Sequence, residues 1–536
     1  MKRIFAAALL FCLALLWLPA SLAAEECTTV VVARRATVDG RPLLWKNRDA
    51  DDIDNEAVYI AGGTYPFVAI ISANSTTSTW MGINSAGLAI ENSLSSDLEG
   101  TSSGQNGSFM KYALQYCATV AEFEQLLFDT NVAGRLTKAN YGVIDATGAA
   151  AIFETGNHTF AKYDADDPST APLGYVVRTN FAFTGDGSGT GYERYFRAIE
   201  LVEEGINAGV MNHEFLLRNV ARDLRNDLID PYPLPYEGTQ EGHSAGYVRT
   251  YYSINRYRTR ACAVFHGVRP DENPLLSTMW VILGEPVCGT AVPLWVHAGT
   301  VPPEMNGTAT APWSDAILEK KADCYTDTSF LPYASQYLDT YALADGLGGG
   351  ILMFSLPIED RAFSQTQTVL EAWRDSFPSS NTIADFERDI IYESYCLYRT
   401  STAPTDIPAP ADLAVRRVLN RSLSQAEFID VLTWNSVHIS GGISGYRIYE
   451  LVNGEKIYLG QVDSSTTRFW HRGLRSSDRF FYVVAAVDTR NREGNPACVA
   501  IGGIDQPNPV SQRERAAYIQ SISVFLKMSA RLAHRF

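Results

Sequence analysis

The stretch Cys27-Thr28-Thr29-Val30-Val31-Val32, the turn Asp39-Gly40 and the run Pro42-Leu43-Leu44-Trp45-Lys46-Asn47-Arg48-Asp49 set the reading of the whole chain. β-Branched residues crowd positions 28–33, Asp-Gly favours a tight antiparallel turn, and apolar residues resume over 42–45, so the spacing predicts a hairpin. Cysteine at the head of the first strand carries the chemistry. Once proteolysis makes it the first residue, its own α-amino group lies beside the thiol. The reference pKa is about 7.7–8.0 for the amine and about 8.5 for the thiol, so the nitrogen can take the sulfur's proton near neutrality. That pairing activates a nucleophile without a histidine.

The residues ahead of Cys27 supply that proteolysis. Lys2 and Arg3 precede an apolar run over 4–18 and then Ser21-Leu22-Ala23, so residues 1–23 read as a signal peptide and the chain as exported. A membrane span is disfavoured, because the run is short and no second stretch of about 18 uninterrupted apolar residues follows. Ala24-Glu25-Glu26 places acids where a lipoprotein signal needs small neutral residues. Residues 24–26 become a short pro-segment, removed most simply by Cys27 attacking the Glu26 carbonyl. Without Cys12, seven cysteines remain, and an odd number in an oxidising compartment leaves one as a working thiol or an interchain partner. Cys27 is the obvious odd one; the bland alternative makes it half of a bridge.

Strands are expected at 67–73, 88–91, 141–144, 150–154, 175–178, 247–254, 260–266 and 278–283. Helices are expected at 109–117, 121–128, from Tyr192 onward, 316–325 and 366–373. This assigns residues 27–400 to one mixed α/β domain. Pro404, Pro408 and Pro410 mark a semi-rigid linker over 401–410, and residues 411–503 alternate apolar and polar as an all-β unit. The tail 504–536 is basic and amphipathic, suited to docking on its own domain or lying on a membrane surface.

At 536 residues and 46% apolar composition the chain exceeds one ordinary core, and a net charge of −16 without a basic stripe argues against nucleic acid as partner. The eight histidines are scattered singly, and His213-Glu214 lacks a second histidine one turn later, so neither metal nor cofactor is indicated. Glycine runs at 185–191 and 346–350 lack the Lys-Ser or Lys-Thr of a phosphate loop. Gly100-Thr101-Ser102-Ser103-Gly104 matches G-x-S-x-G but lacks the strand and helix a nucleophile elbow needs.

On these residues the chain resembles an N-terminal-nucleophile (Ntn) hydrolase of the choloylglycine hydrolase, penicillin acylase and isopenicillin-N acyltransferase (peptidase C45-like) superfamily. The likeness extends through Gly82-Ile83-Asn84-Ser85-Ala86-Gly87-Leu88-Ala89, the strand-turn-strand at 141–154, Thr179-Asn180 and Glu193-Arg194-Tyr195-Phe196-Arg197-Ala198. The resemblance implies an α+β fold, a four-layer αββα sandwich. It implies Cys27 as nucleophile, Asp49 as the carboxylate that orients the new amine, Asn180 and Asn92 as oxyanion-hole donors, and Arg194 as a fixed cation. Residues 411–503 resemble a fibronectin type III domain, a small all-β sandwich, with Trp434 and Tyr482 as core aromatics.

Lys46 departs from the family, standing where its bile-salt hydrolases and dipeptidases carry arginine; it lacks a bidentate fork, which changes the expected substrate contact there. The reading is a secreted hydrolase or acyltransferase acting on a small-molecule or short-peptide amide through an acyl-Cys27 thioester. A dipeptidase is the alternative within the enzyme class, and a non-catalytic adhesion or scaffold protein the alternative outside it. Five N-x-Ser/Thr sites, at Asn74, Asn106, Asn157, Asn306 and Asn420, are glycan acceptors only in a glycosylating host. Oligomeric state is not legible.

Overall fold

The computed structural model describes residues 26–501 except 102–103, 308, 347–348, 401–406, 422–425, 453–454 and 477. The expected leader, residues 24 and 25, most of the linker, Ser102-Ser103 and the basic tail lie outside the described residues.

The predicted hairpin forms. β1 (Glu26–Val32) pairs antiparallel with β2 (Leu43–Asp49), and Gly40 takes a φ of 73° in the turn, where a Cβ would be strained. β3 (Asn55–Ile60), β4 (Phe67–Ser72), β5 (Met81–Asn84), β6 (Ala89–Leu94), β7 (Ala139–Ile144), β8 (Ala150–Thr155) and β9 (Phe160–Asp164) make a seven-stranded antiparallel meander. β10 (Tyr175–Arg178) borders β1; β11 (Tyr247–Arg249) lies apart; β12 (Thr259–His266), β13 (Thr278–Ile282) and β14 (Val292–Leu294) extend the hairpin to a six-stranded sheet. Its order is β10-β1-β2-β12-β13-β14.

The two sheets pack face to face. Because side chains alternate along a strand and direct partners share a face, Cys27, Thr29 and Val31 with Arg48, Lys46 and Leu44 point toward the seven-stranded sheet. Contacts agree: Thr29 Oγ1 donates to Glu91 Oε1 on β6, and Lys46 Nζ to Asn92 Oδ1. α1 (Asn106–Tyr116) and α2 (Val120–Asn131) cover the outer face of the seven-stranded sheet through Met110, Leu114, Phe123 and Leu127. α3 (Tyr192–Asn207) lies on β1 and β10, burying Ala198, Leu201 and Val202. α4 (Pro312–Cys324), α5 (Leu352–Asp375) and α6 (Ser380–Thr400) follow, the last two packing on β14.

One expected strand is much shorter than its pattern. Of 247–254 only β11 is extended, pairing with β15 (Tyr337–Asp339). Side chains compete with the ladder beyond it. Thr250 Oγ1 accepts from Tyr257 N, Ser253 Oγ donates to Leu224 O, and Asn255 Oδ1 accepts from Val287 N.

After residue 406, β16 (Ala414–Arg421), β17 (Ala426–Thr433) and β20 (Arg468–Leu474) form one sheet; β18 (Ile443–Val452), β19 (Glu455–Asp463), β21 (Phe480–Asp488) and β22 (Glu493–Ile501) form another. Trp434, Tyr446, Ile448, Tyr482 and Val484 share one core, and the Tyr482 hydroxyl donates to buried Asp430. Two of the five glycosylation motifs are sterically closed: Asn106 and Asn157 are buried, and Asn157 is bonded to Thr101 and Arg135.

Candidate active site

β1 divides the site by its alternation. Cys27 faces the seven-stranded sheet, whereas Glu26 and Thr28 face the opposite side, with Asp49 and Asn47 directly across from them. The expected residues therefore fall into two groups that meet at the head of the strand.

The first group holds the Cys27 backbone. Cys27 N–H donates to Asn180 Oδ1 at 2.9 Å. Arg194 Nη1 donates to Cys27 O at 2.7 Å and Thr28 Oγ1 at 2.9 Å, while Nη2 reaches Asn180 Oδ1 at 2.9 Å. The Arg194 fold-back requires Gly191 before α3: a Cβ there would stand 2.6 Å from Nη2, and its φ is 86°. Asn180 Nδ2 donates to Leu94 O at 2.9 Å, so in this arrangement its side chain fixes the Cys27 nitrogen and the β6 backbone.

Asp49 belongs to the same face and is fully buried. Its Oδ1 accepts from Thr259 Oγ1 at 2.7 Å; Oδ2 has no hydrogen-bond partner among the described residues, and Arg256 Nη1 lies 3.7 Å away. Burial pushes the Asp49 carboxyl above its ordinary value, against the pull of Arg256 and Arg194. Arg256 also bonds Glu26 through Nη1, and although burial works to raise Glu26, Arg256 and Arg194 hold it below its ordinary range.

The second group surrounds the thiol face. Arg48 stands directly across from Cys27, bonded through Nη1 to Asn55 Oδ1 at 2.8 Å and stacked 4.6 Å over Trp80. Lys46, expected as a substrate contact, is fully buried, with its ammonium on Trp80 O at 3.0 Å and Asn92 Oδ1 at 2.8 Å. An ammonium can only donate, so it fixes the Asn92 amide with its oxygen toward Lys46. Asn92 Nδ2 is thereby left as a buried donor with no partner among the described residues. Beside them, burial pushes the Glu91 carboxyl up to about 7, opposed by Lys46 and Thr29.

Sequence reasoning missed Arg256, Thr259 and Arg48. The signal for the first two was Tyr251-Tyr252-Ser253-Ile254-Asn255-Arg256-Tyr257-Arg258-Thr259, whose cations and tyrosines alternate too richly for an ordinary strand. The segment is braced from behind: Asn255 Nδ2 and Tyr325 OH donate to Glu285 Oε1 at 2.6 and 2.7 Å, and Lys321 pairs with Glu285 Oε2 at 2.6 Å. Among the described residues no three metal-binding side chains gather, and no helix is long and apolar enough to cross a membrane.

No model of a known protein family matches this chain, and no curated protein does. Among solved structures it is similar to a variant of conjugated bile acid hydrolase from Clostridium perfringens: 13% identity over 48% of this chain and 88% of that one, TM-score 0.30. Penicillin V acylase from Agrobacterium tumefaciens has 14% identity over 50% of this chain and 86% of its own, TM-score 0.30. A structure described as FN3tt mut has 14% identity over 17% of this chain and 94% of its own, TM-score 0.13. Scores this low leave the chemistry to the site's own geometry.

Proposed function

We propose that this chain is the precursor of an amide hydrolase or acyltransferase whose nucleophile is Cys27, released as the N-terminal residue by loss of residues 1–26. The observation that carries the reading is Asp49: a fully buried carboxylate whose Oδ2 accepts no hydrogen bond among the described residues, directly across β1–β2 from the residue that must leave. Loss of Glu26 puts a new α-amine beside that oxygen, and Asn180 Oδ1 already accepts from the same nitrogen. Held by two acceptors, the amine keeps one lone pair for the thiol's proton.

The steps follow. The α-amine takes the Cys27 proton, Sγ attacks the amide carbon, and the oxyanion is met by donors on the thiol face, for which Asn92 Nδ2 is the poised candidate. The leaving amine collects the proton from the α-ammonium. Water or a second amine then breaks the thioester. Lys46 serves by orienting Asn92, and Arg194 by fixing Cys27, Thr28 and Asn180 as one unit.

In this reading the two packed sheets with their helices are an αββα sandwich, residues 411–503 a fibronectin type III-like unit, and residues 1–23 an export leader. Linear amides are the substrates, of acylase type. The processed protein should hydrolyse members of a panel of N-acyl amino acids, penicillin V and conjugated bile salts in preference to dipeptides, and Cys27→Ala should abolish this. Turnover surviving in Cys27→Ala contradicts the reading.

A further inference from the structure

The charges packed round the head of β1 balance only while Glu26 is present. Arg194 and Arg256 are buried cations, and Glu26 and Asp49 are the carboxylates facing them. Excision removes one carboxylate and leaves an amine in exchange. Asp49 then faces two guanidinium groups and the new nitrogen alone. Arg256 loses the hydrogen-bond partner of Nη1 and keeps only the Asp49 carboxylate at 3.7 Å, while its Nε and Nη2 have no hydrogen-bond partner among the described residues even before excision. Two buried guanidinium groups sharing a single carboxylate are under-compensated, so the processed site is suited to receive a second anion.

We infer that the processed site takes an acyl donor carrying its own carboxylate, seated on Arg256 in the place Glu26 vacates; this rests on the Cys27 reading above. Covalent geometry sets the length. The Glu26 side chain puts its carboxylate as far from the carbonyl joined to Cys27 as the two carboxyl carbons of a glutaryl chain lie from each other. A glutaryl amide therefore reaches Arg256 while its scissile carbonyl lies beside Cys27.

Cations and phenols continue outward from Arg256. Tyr251 lies 4.9 Å under the Arg256 guanidinium and 5.5 Å from that of Arg249, which in turn stacks 4.1 Å over exposed Tyr333. Alternating guanidinium and phenol groups thus run from the surface to the vacated position. In the reaction Sγ bonds the glutaryl carbonyl carbon, the C–N bond breaks, and the amine departs with the thiol's proton relayed through the α-amine. Water then cleaves the thioester to glutarate and restores the thiol.

The test uses the processed protein with glutaryl-p-nitroanilide and valeryl-p-nitroanilide, which differ only by the terminal carboxylate. The expected result is at least about tenfold higher kcat/KM for the glutaryl compound. Alongside, glutarate but not valeramide should slow iodoacetamide labelling of Cys27. Equal or faster cleavage of the valeryl compound, or labelling indifferent to glutarate, overturns the inference and leaves the amidase reading standing. Protection by glutarate with neither anilide cleaved sustains the anion site and removes the amidase reading.

Discussion

Glu26 and Asp49 are direct cross-strand partners, and both turn to the face on which Arg194 and Arg256 are buried. In the proposed maturation, the residue to be excised therefore shares its counter-ions with the residue proposed to hold the amine left behind. Removing the first carboxylate transfers its electrostatic surroundings to the second.

Asp49→Asn separates catalysis from folding. Burial opposes the charged form of this carboxyl while Arg256 and Arg194 favour it, so the two effects offset and a neutral isostere should change stability little. Without the negative charge the new amine is neither drawn in nor oriented, and kcat/KM should fall by about 100-fold or more. Steady-state kinetics beside a urea unfolding curve checks both; full activity in Asp49→Asn refutes the assignment.

Arg194→Met should be costly in both respects. It removes the donor to the carbonyl of Cys27, to Thr28 Oγ1 and one of the donors to Asn180 Oδ1 in a buried site and leaves Asp49 with one cation fewer, a loss on the order of 3 kcal/mol in urea unfolding. Arg194→Lys should recover part of the stability and little activity, because one ammonium cannot bridge three acceptors in a fixed plane.

Lys46→Met distinguishes positioning from substrate contact. Freed from the ammonium, Asn92 can flip, so kcat should drop by about 100-fold with KM little changed. A raised KM at constant kcat would show Lys46 touching substrate directly.

Glu91 predicts a pH dependence of stability unrelated to catalysis. Burial pushes its carboxyl up to about 7, above its unfolded value near 4.5, so the folded state binds the extra proton. Its favourable contribution is complete below about pH 4.5 and is lost as pH rises through about 7, a change of up to about 3 kcal/mol. Glu91→Gln should flatten that limb in unfolding curves taken between pH 5 and about 8; an unchanged slope excludes Glu91 as its source.

Much of the fold was legible where one pattern held without competition. The β1–β2 hairpin and β10 follow from β-branched runs and Asp-Gly, and α3 begins at Tyr192 as its three- and four-residue spacing requires. The pattern failed where polar side chains took over the backbone bonds, as Thr250, Ser253 and Asn255 do beyond β11. α6 was overlooked although Ile383, Phe386, Ile390, Tyr395 and Tyr398 form its buried stripe, because tyrosines and acids are interleaved with it. In the site, Asp49, Asn180 and Arg194 lie round the Cys27 backbone, but Arg256 is 229 positions from Cys27, and only the folded register brings them together. Periodicity within one segment cannot encode that meeting.

The central claim is that the working chain starts at Cys27 with its thiol available. The most direct measurement is the mass of the N-terminal peptide of active protein, taken before and after iodoacetamide. The account predicts a peptide beginning at Cys27, with one carbamidomethyl group gained in step with loss of amide hydrolysis. Fully active protein whose N-terminal peptide still carries Glu26, or whose Cys27 is held in a disulfide, would contradict it.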